Sequence, residues 1–474
     1  MQIKDDKISR ETFSIISLGC SKNLVDSEKY VRQMREQGYE FNTEPDGSDA
    51  VILNTCGFLK SARNEAREYI RSLIDLKKEG RIKRIIVRGC MTQFEGTKQL
   101  AEEFPDVDEW FGIPINTPKN INFNTDKITT TDKITADTNT DKNTNTDTDT
   151  EQISLLSYKQ SEIERDILTA KHVAYLRIAD GCSRRCSFCT IPDIRGKFRS
   201  EPMDKLLMES NQLAQSGVKE IVIIAQETTF WGKDLPENYS LVDLLRRIAD
   251  IDGIRWIRLM YAYPGFFDNE LITFFGQNEK MLPYIDLPLQ HINNTILNRM
   301  NRNITQDETE KLLDNLRNKI DQLVLRTSLI VGFPGETNKI FDELVRFVMK
   351  WKFERAGIFA FSPEPKTAAA KFNDRIPIPT IERRFRQLTE ICNQNAVAWG
   401  KRQKNNIVSV QIDGNYIEDS GYVEPNLFIG RTYADAPDID PVVYVTSDKK
   451  IESGKLIKCE ILETDGNNLV GIGV

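Results

Sequence analysis

Histidine is almost missing from this chain. His172 and His291 are the only two in 474 residues. A multi-histidine metal site is therefore excluded, and little room is left for histidine acid–base chemistry. Long apolar runs are missing too: none approaches the roughly 20 residues that a membrane helix needs, so no membrane partner is expected. The opening residues, MQIKDDKISRETF, lack the apolar core of a secretory leader, which makes the cytoplasm the expected location. Positive charge is in deficit, with 64 Lys and Arg against 71 Asp and Glu. Residues 405–474 hold five basic and twelve acidic side chains, which accounts for the whole net charge of −7. Such a segment suits a basic protein better than a phosphate backbone. Direct RNA binding is not expected as its main contact.

What the chain does have is cysteine, eight in all. In a cytoplasmic chain of this size, metal or redox use outweighs a disulfide framework. The length suits two or three domains, and a hydrophobic content of 39% fits a globular protein.

Four segments follow one another. Residues 11–115 contain three nearly continuous aliphatic runs, FSIISLG, AVILNT and RIIVRG, as expected for strands buried on both faces of a parallel sheet. Helical patterns lie between them, with Asp26 and Ser61 as N-cap candidates and Gly38 and Gly80 as C-terminal stops. This βαβαβ pattern predicts a doubly wound α/β domain. Residues 116–152 are mostly Asn, Thr, Asp and Lys, with a loose TDK repeat. They read as a disordered insert. Residues 168–402 carry six further β-like runs (AYLRIAD, EIVIIAQ, RWIRLMY, YIDLP, VLRTSLIVG and RAGIFAF) separated by helical patterns. That alternation predicts a partial (β/α) barrel with its chemistry at the C-terminal strand ends. Residues 404–474 are rich in Val, Ile and Tyr with Gly and Asp turns, which predicts a small five-stranded β-barrel. The fold class is thus α/β and multidomain.

Cys182, Cys186 and Cys189 form a C-x3-C-x2-C loop in DGCSRRCSFCTIP, directly after the first barrel strand. Thiolates hold iron–sulfur clusters, which usually take four protein ligands. Three cysteines in one tight loop leave one iron open, able to chelate the amino and carboxylate groups of a methionine. A zinc knuckle is the alternative, but zinc sites usually show paired C-x2-C units or a fourth nearby Cys or His. Cys20, Cys56 and Cys90 are spread along the first segment, yet each closes one strand: SLGC, LNTC, VRGC. Strand C-termini of a doubly wound sheet share one edge. Three thiols therefore converge there, with Gly19, Gly57 and Gly89 permitting close backbone approach. The functional reading is a second three-cysteine cluster; three unrelated core cysteines are the alternative. Cys392 and Cys459 repeat no such pattern and stand as structural or free thiols.

The central loop resembles that of the radical S-adenosylmethionine (SAM) superfamily. Two three-cysteine sets followed by a β-barrel resemble the methylthiotransferases, which end in a TRAM barrel. SLGCSKNLVDSE, IADGCSRRCSFCTIPDIRGKFRS, IAQETT and RTYADAPDID resemble the branch acting on an aspartate of ribosomal protein S-twelve. The branch acting on transfer-RNA adenosine tends to carry Gln-Met-Asn after the first cysteine. Pro441, where the family usually has Gly, and the long insert depart from the pattern. The resemblance implies two 4Fe–4S clusters, SAM as cofactor, and methylthiolation of the aspartate β-carbon. It also implies a reducing electron donor such as flavodoxin or ferredoxin; the sulfur donor is left open. Phe188 is implied near the adenine, and Gly332 and Gly335 of IVGFPGET in the cofactor pocket, although that turn also reads as a tight strand-to-helix connection. Arg326 fits either a partner for the cofactor carboxylate or an exposed strand arginine. Three functions remain in view: the ribosomal-protein enzyme, the transfer-RNA enzyme, and a non-catalytic iron–sulfur or zinc scaffold.

Overall fold

The computed structural model describes residues 11–113, 165–418 and 420–474. The expected insert at 116–152 lies outside the described residues. In the N-terminal domain, strands β1 (Thr12–Ser17), β2 (Glu40–Phe41), β3 (Ala50–Thr55), β4 (Arg84–Gly89) and β5 (Glu109–Phe111) form a parallel sheet in the order β2-β1-β3-β4-β5. The three predicted strands form its centre. The short edge strands β2 and β5 carry no long aliphatic run, so periodicity did not reveal them. Gly38 (φ +95°) and Gly80 (φ +73°) follow their helices in the left-handed region, as expected. Both N-cap expectations need correction. Helix Ser21–Glu36 starts directly behind β1 with Cys20 at its N-cap, and helix Lys60–Lys78 starts behind Leu59. Asp26 therefore lies inside its helix, buried, and serves another purpose.

The central domain is a six-stranded parallel sheet. Its first strand is β6 (Val173–Arg177). A two-stranded antiparallel clasp, β7 (Ala179–Asp180) with β8 (Arg199–Ser200), follows. Then come β9 (Glu220–Ile224), β10 (Trp256–Leu259), β11 (Met281–Asp286), β12 (Val324–Val331) and β13 (Arg355–Ala360), and the order β6-β9-β10-β11-β12-β13 matches sequence order. Parallel neighbours in sequence order are what a partial barrel requires. Alternate residues divide between two cores, as a period of two dictates. Leu176, Ile221, Ile223, Ile257 and Leu325 pack beneath helices. Tyr175, Val222, Ile224, Met260 and Tyr284 pack instead against Val25 of the N-terminal domain and against the C-terminal barrel.

That last domain closes on itself in the order β14-β15-β16-β18-β17, built from β14 (Ile407–Ile417), β15 (Val423–Arg431), β16 (Val443–Thr446), β17 (Leu456–Asp465) and β18 (Asn468–Gly473). It docks on the N-terminal halves of the central strands, opposite the cysteine loop. Arg431 binds Glu220 (2.7 Å) and Asp413 (2.9 Å), and Glu220 also binds Arg258 (2.8 Å). Asp435 meets Arg355 at 2.6 Å, and Asp440 accepts from the Tyr284 hydroxyl at 2.6 Å. The RTYADAPDID segment is therefore an interdomain plug. Three of the acids counted in the sequence, Asp413, Asp435 and Asp440, are turned inward on partners of their own.

Candidate active site

The N-terminal sheet brings Cys20, Cys56 and Cys90 to one edge. Gly19 has φ +93°, and a Cβ there would lie 2.7 Å from the Cys56 Cβ. A Cβ on Gly57 would lie 2.4 Å from the Cys90 carbonyl oxygen. Both glycines are thus required for the strand ends to meet. Asn23 ties the edge together: its Nδ2 donates to the carbonyls of Leu18 and Thr55, both at 3.0 Å. Its Oδ1 lies 3.4 Å from the Cys90 Sγ.

The thiols of this set differ. Cys20 is exposed, although crowded by neighbouring groups, whereas Cys90 is buried. Burial works against the Cys20 thiolate, yet Lys22, Arg195 and two backbone N–H groups outweigh it and hold its pKa below the usual value. Burial pushes Cys56 up and Cys90 up to about 12.

The central loop is closed at its base. The Cys182 N–H donates to the Gly196 carbonyl at 3.1 Å, and the β7–β8 clasp flanks both ends. Within the loop, the Cys189 N–H donates to the Cys186 carbonyl, and the Cys189 Sγ accepts from the Ile191 N–H at 3.5 Å. Burial raises Cys182 to about 11 and Cys189 to about 12. All eight cysteines are free. Among the described residues, no three Cys, His, Asp or Glu side chains close on a single metal ion.

Arg195, six residues beyond Cys189, joins the elements that carry the two cysteine sets. Its guanidinium donates to Asn23 Oδ1 (2.7 Å), Asp26 Oδ2 (2.9 Å) and Asp180 Oδ1 (3.2 Å), and lies 3.7 Å from the Cys90 Sγ. Arg177 binds the other oxygen of Asp26 at 2.5 Å. Although burial opposes it, this pair of guanidinium groups holds the Asp26 carboxyl below its ordinary pKa. A second bridge joins buried Arg63 to Glu364 at 2.8 Å. Sequence reasoning gave Asp26, Arg195 and Asn23 no role in the site, although all three lie in the segments SLGCSKNLVDSE and IADGCSRRCSFCTIPDIRGKFRS that carry the family resemblance.

Phe188 and the IVGFPGET turn come together, since Phe188 packs in one apolar cluster with Ile330, Phe333 and Met300. Gly332 (φ +76°) and Gly335 (φ +88°) make the turn, and its Glu336 accepts from the Gly332 N–H at 3.0 Å. Arg326 sits elsewhere. It lies in the N-terminal half of β12, where Asp286 binds it at 2.9 Å and Asp440 lies 3.5 Å away. The chain's own acids occupy this guanidinium, so neither reading given for Arg326 from the sequence holds. His172 faces away from the cysteines, with its Nε2 2.8 Å from Asp413.

Comparison with known proteins gives the following. Residues 12–112 match the uncharacterized protein family UPF0004, residues 176–348 the radical SAM superfamily, and residues 406–474 the TRAM domain. The ribosomal protein uS12 methylthiotransferase RimO of Carboxydothermus hydrogenoformans is 39% identical over 464 residues, covering 97% of this chain and 98% of the relative. The RimO proteins of Phocaeicola vulgatus (98% and 99% covered) and Aquifex aeolicus (96% and 96%) are 37% and 36% identical. Among solved structures, the radical S-adenosylmethionine methyltransferase TsrM of Kitasatospora setae aligns with a TM-score of 0.47 at 15% identity, covering 76% of this chain and 77% of its own. Identity at this level along almost the whole length settles the kinship: the chain belongs to the family of RimO ribosomal protein uS12 methylthiotransferases.

Proposed function

We propose that this protein is a radical SAM methylthiotransferase that acts on the β-carbon of an aspartate in ribosomal protein uS12. The observation that supports the reading is the link that Arg195 makes between the elements carrying the two three-cysteine sets. A carbon–sulfur bond made from an unactivated C–H needs a radical source and a sulfur source close together.

Each set suits an iron–sulfur cluster. The donors are free thiols of the type such clusters use, and Gly19 and Gly57 keep the strand-end set compact where a Cβ would force it apart. Cys182, Cys186 and Cys189 are assigned to the cluster that binds SAM, and Cys20, Cys56 and Cys90 to an auxiliary cluster. With SAM bound, the first cluster supplies the one-electron chemistry that opens a C–H bond.

The rest falls to side chains of this chain. Phe188, Gly332 and Gly335 line the SAM pocket, where a left-handed glycine turn allows close backbone approach. The Phe188 cluster keeps water from that side. Arg195 and Asp26 hold the N-terminal edge at a fixed distance from the central loop. The C-terminal barrel presents its remaining outward acids, among them Glu418, Glu463 and Asp465, to a basic protein. A reducing partner such as flavodoxin or ferredoxin supplies electrons, and the cytoplasm is the setting. No helix of the described residues is long and apolar enough to cross a membrane.

Mass spectrometry of ribosomal proteins and transfer RNA from a deletion strain tests the reading. The expected result is loss of the methylthio group from uS12 with transfer-RNA modification intact. Loss of an adenosine modification while uS12 keeps its group overturns it. Anaerobic reconstitution of the purified chain should load about eight irons; bound zinc without SAM cleavage would point to a scaffold.

A further inference from the structure

Arg177, Arg184 and Arg195 lie along the segment that carries the central cysteine set, and each is matched by a carboxylate. Asp26 takes Arg177 and Arg195, Asp180 also takes Arg195, and Glu227 takes Arg184 at 2.6 Å. Lys22 is different. It is only 6% exposed, and its Nζ lies 3.1 Å from the centroid of the Tyr261 ring. Among the described residues its ammonium makes no hydrogen bond and no ion pair with a carboxylate, although it lies close enough to Cys20 to favour that thiolate.

Both partners of this contact are held firmly. Lys22 is the second residue of the helix that Cys20 caps, so its stem is fixed to the strand-end thiols. Tyr261 follows β10 at the C-terminal rim of the central sheet with φ +59°, a strained value for a residue with a side chain. Its N–H donates to Asp286 Oδ2 at 3.0 Å and its carbonyl accepts from the Thr228 N–H at 3.1 Å. An aromatic face stabilises a cation but leaves its hydrogen-bond donors unused. The side chain is largely buried but its ammonium still reaches solvent, so its three free donors can be taken by an arriving acceptor.

We propose that Lys22 recognises the substrate: its ammonium binds the side-chain carboxylate of the target aspartate and thereby fixes the β-carbon between the two cysteine sets. The proposal rests on the reading of the reaction given above. The β-carbon is bonded directly to the carboxylate carbon, so a grip on the carboxylate places the reacting C–H within one bond. A site bordered by Asp26, Asp180 and Glu227 repels an anion unless a cation is still available. Arg177, Arg184 and Arg195 are already neutralised, and Arg302, beside Cys189, donates to the Pro288 carbonyl at 2.6 Å; Lys22 is the neighbouring cation whose donors are all unused. A neutral asparagine at the target position offers this ammonium only an uncharged amide oxygen and so gains less from it.

The test uses the full-length reconstituted protein and two peptides spanning the uS12 target, one with the aspartate and one with asparagine in its place. Fluorescence anisotropy without reductant reads binding apart from turnover. Wild type should prefer the aspartate peptide by about tenfold to a hundredfold, the range for one charge-assisted contact. Lys22→Met should weaken the aspartate peptide by at least that factor, weaken the asparagine peptide much less and so erase the preference. Lys22→Arg should retain most of it. Iron content and the thermal midpoint report whether Lys22→Met is folded; if it is not, Lys22→Gln carries the same measurement. A neutral variant that keeps the full preference overturns the proposal and leaves Lys22 as a charge beside Cys20. Should wild type modify neither peptide but act on transfer-RNA adenosine, the reaction assigned above is wrong and Lys22 loses its substrate with it.

Discussion

The two cysteine sets are built in opposite ways. Cys182, Cys186 and Cys189 lie within eight consecutive residues, and a short clasp with a few backbone hydrogen bonds shapes them. Cys20, Cys56 and Cys90 come from three strands, and only the folded sheet, two close-packed glycines and Asn23 bring them together. A loop of consecutive residues can keep its donor set through local disturbance. A set assembled by tertiary structure is only as stable as the packing that makes it. The geometry of the strand-end set should therefore respond to distant changes, and that of the loop set chiefly to changes within the loop.

The largest effects should come from the cysteines themselves. Cys182→Ala should abolish 5′-deoxyadenosine formation, measured by liquid chromatography. Cys56→Ala should stop methylthiolation while SAM cleavage persists. Equal loss of cleavage in both would remove the distinction between the sets. Next in size is Arg195→Ala, which takes from buried Asp26 one of its two cations. Breaking a buried pair costs about 3–5 kcal/mol, read as a lower denaturation midpoint, and iron should be lost from the strand-end set first.

Acid should act on the same contact. The Asp26 pKa is held below its ordinary value, so its stabilising share is full above the unfolded pKa of about 3.9 and is lost as pH falls through the depressed folded value. The acid unfolding midpoint of Arg195→Ala should therefore lie at higher pH than that of wild type.

Smaller still is Gly57→Ala, where a Cβ would press on the Cys90 carbonyl. Overpacking of this kind costs about 1–3 kcal/mol. Gly196→Ala at the central loop meets nothing within 4 Å but carries the backbone strain of φ +75° and ψ −162°, a glycine conformation that costs about 1–3 kcal/mol. Its thermal midpoint should fall by an amount similar to that of Gly57→Ala. The mildest probe is alkylation of the metal-free protein. At about pH 8, exposed Cys20 with its lowered pKa should react well before buried Cys90, whose pKa is about 12. Equal rates would mean that the strand-end edge is open.

Much of the site could be read from residues alone because its signals are local. The C-x3-C-x2-C spacing needs no partner, and a cysteine ending each aliphatic run places itself once strand C-termini share an edge. The five-strand barrel and the six-strand partial barrel followed from periodicity in the same way. The helix starts at Cys20 and Leu59 were missed because neither residue caps its helix with a side-chain hydrogen bond. Arg326 was misread because its partners Asp286 and Asp440 are 40 and 114 positions away, and spacing carries no trace of such a pairing. The acidic C-terminal segment was read as a surface facing a partner. The fold turns Asp413, Asp435 and Asp440 inward, since buried Arg431 and Arg355 and half-buried Arg326 take them as counter-charges.

The sequence by itself determined the chemistry available: six thiols in two sets, a parallel-sheet scaffold that exposes strand ends, and an acidic terminal barrel. Those features rest on residue type, spacing and period, which the chain order contains. Only the tertiary structure decided that Arg195 joins the two cysteine-bearing elements through Asp26 and Asn23, and that Lys22 lies beside Cys20 and over the Tyr261 ring with no carboxylate partner. Contacts between residues more than a hundred positions apart depend on how the domains pack. Burial then sets their strength, by removing the water that would otherwise screen them.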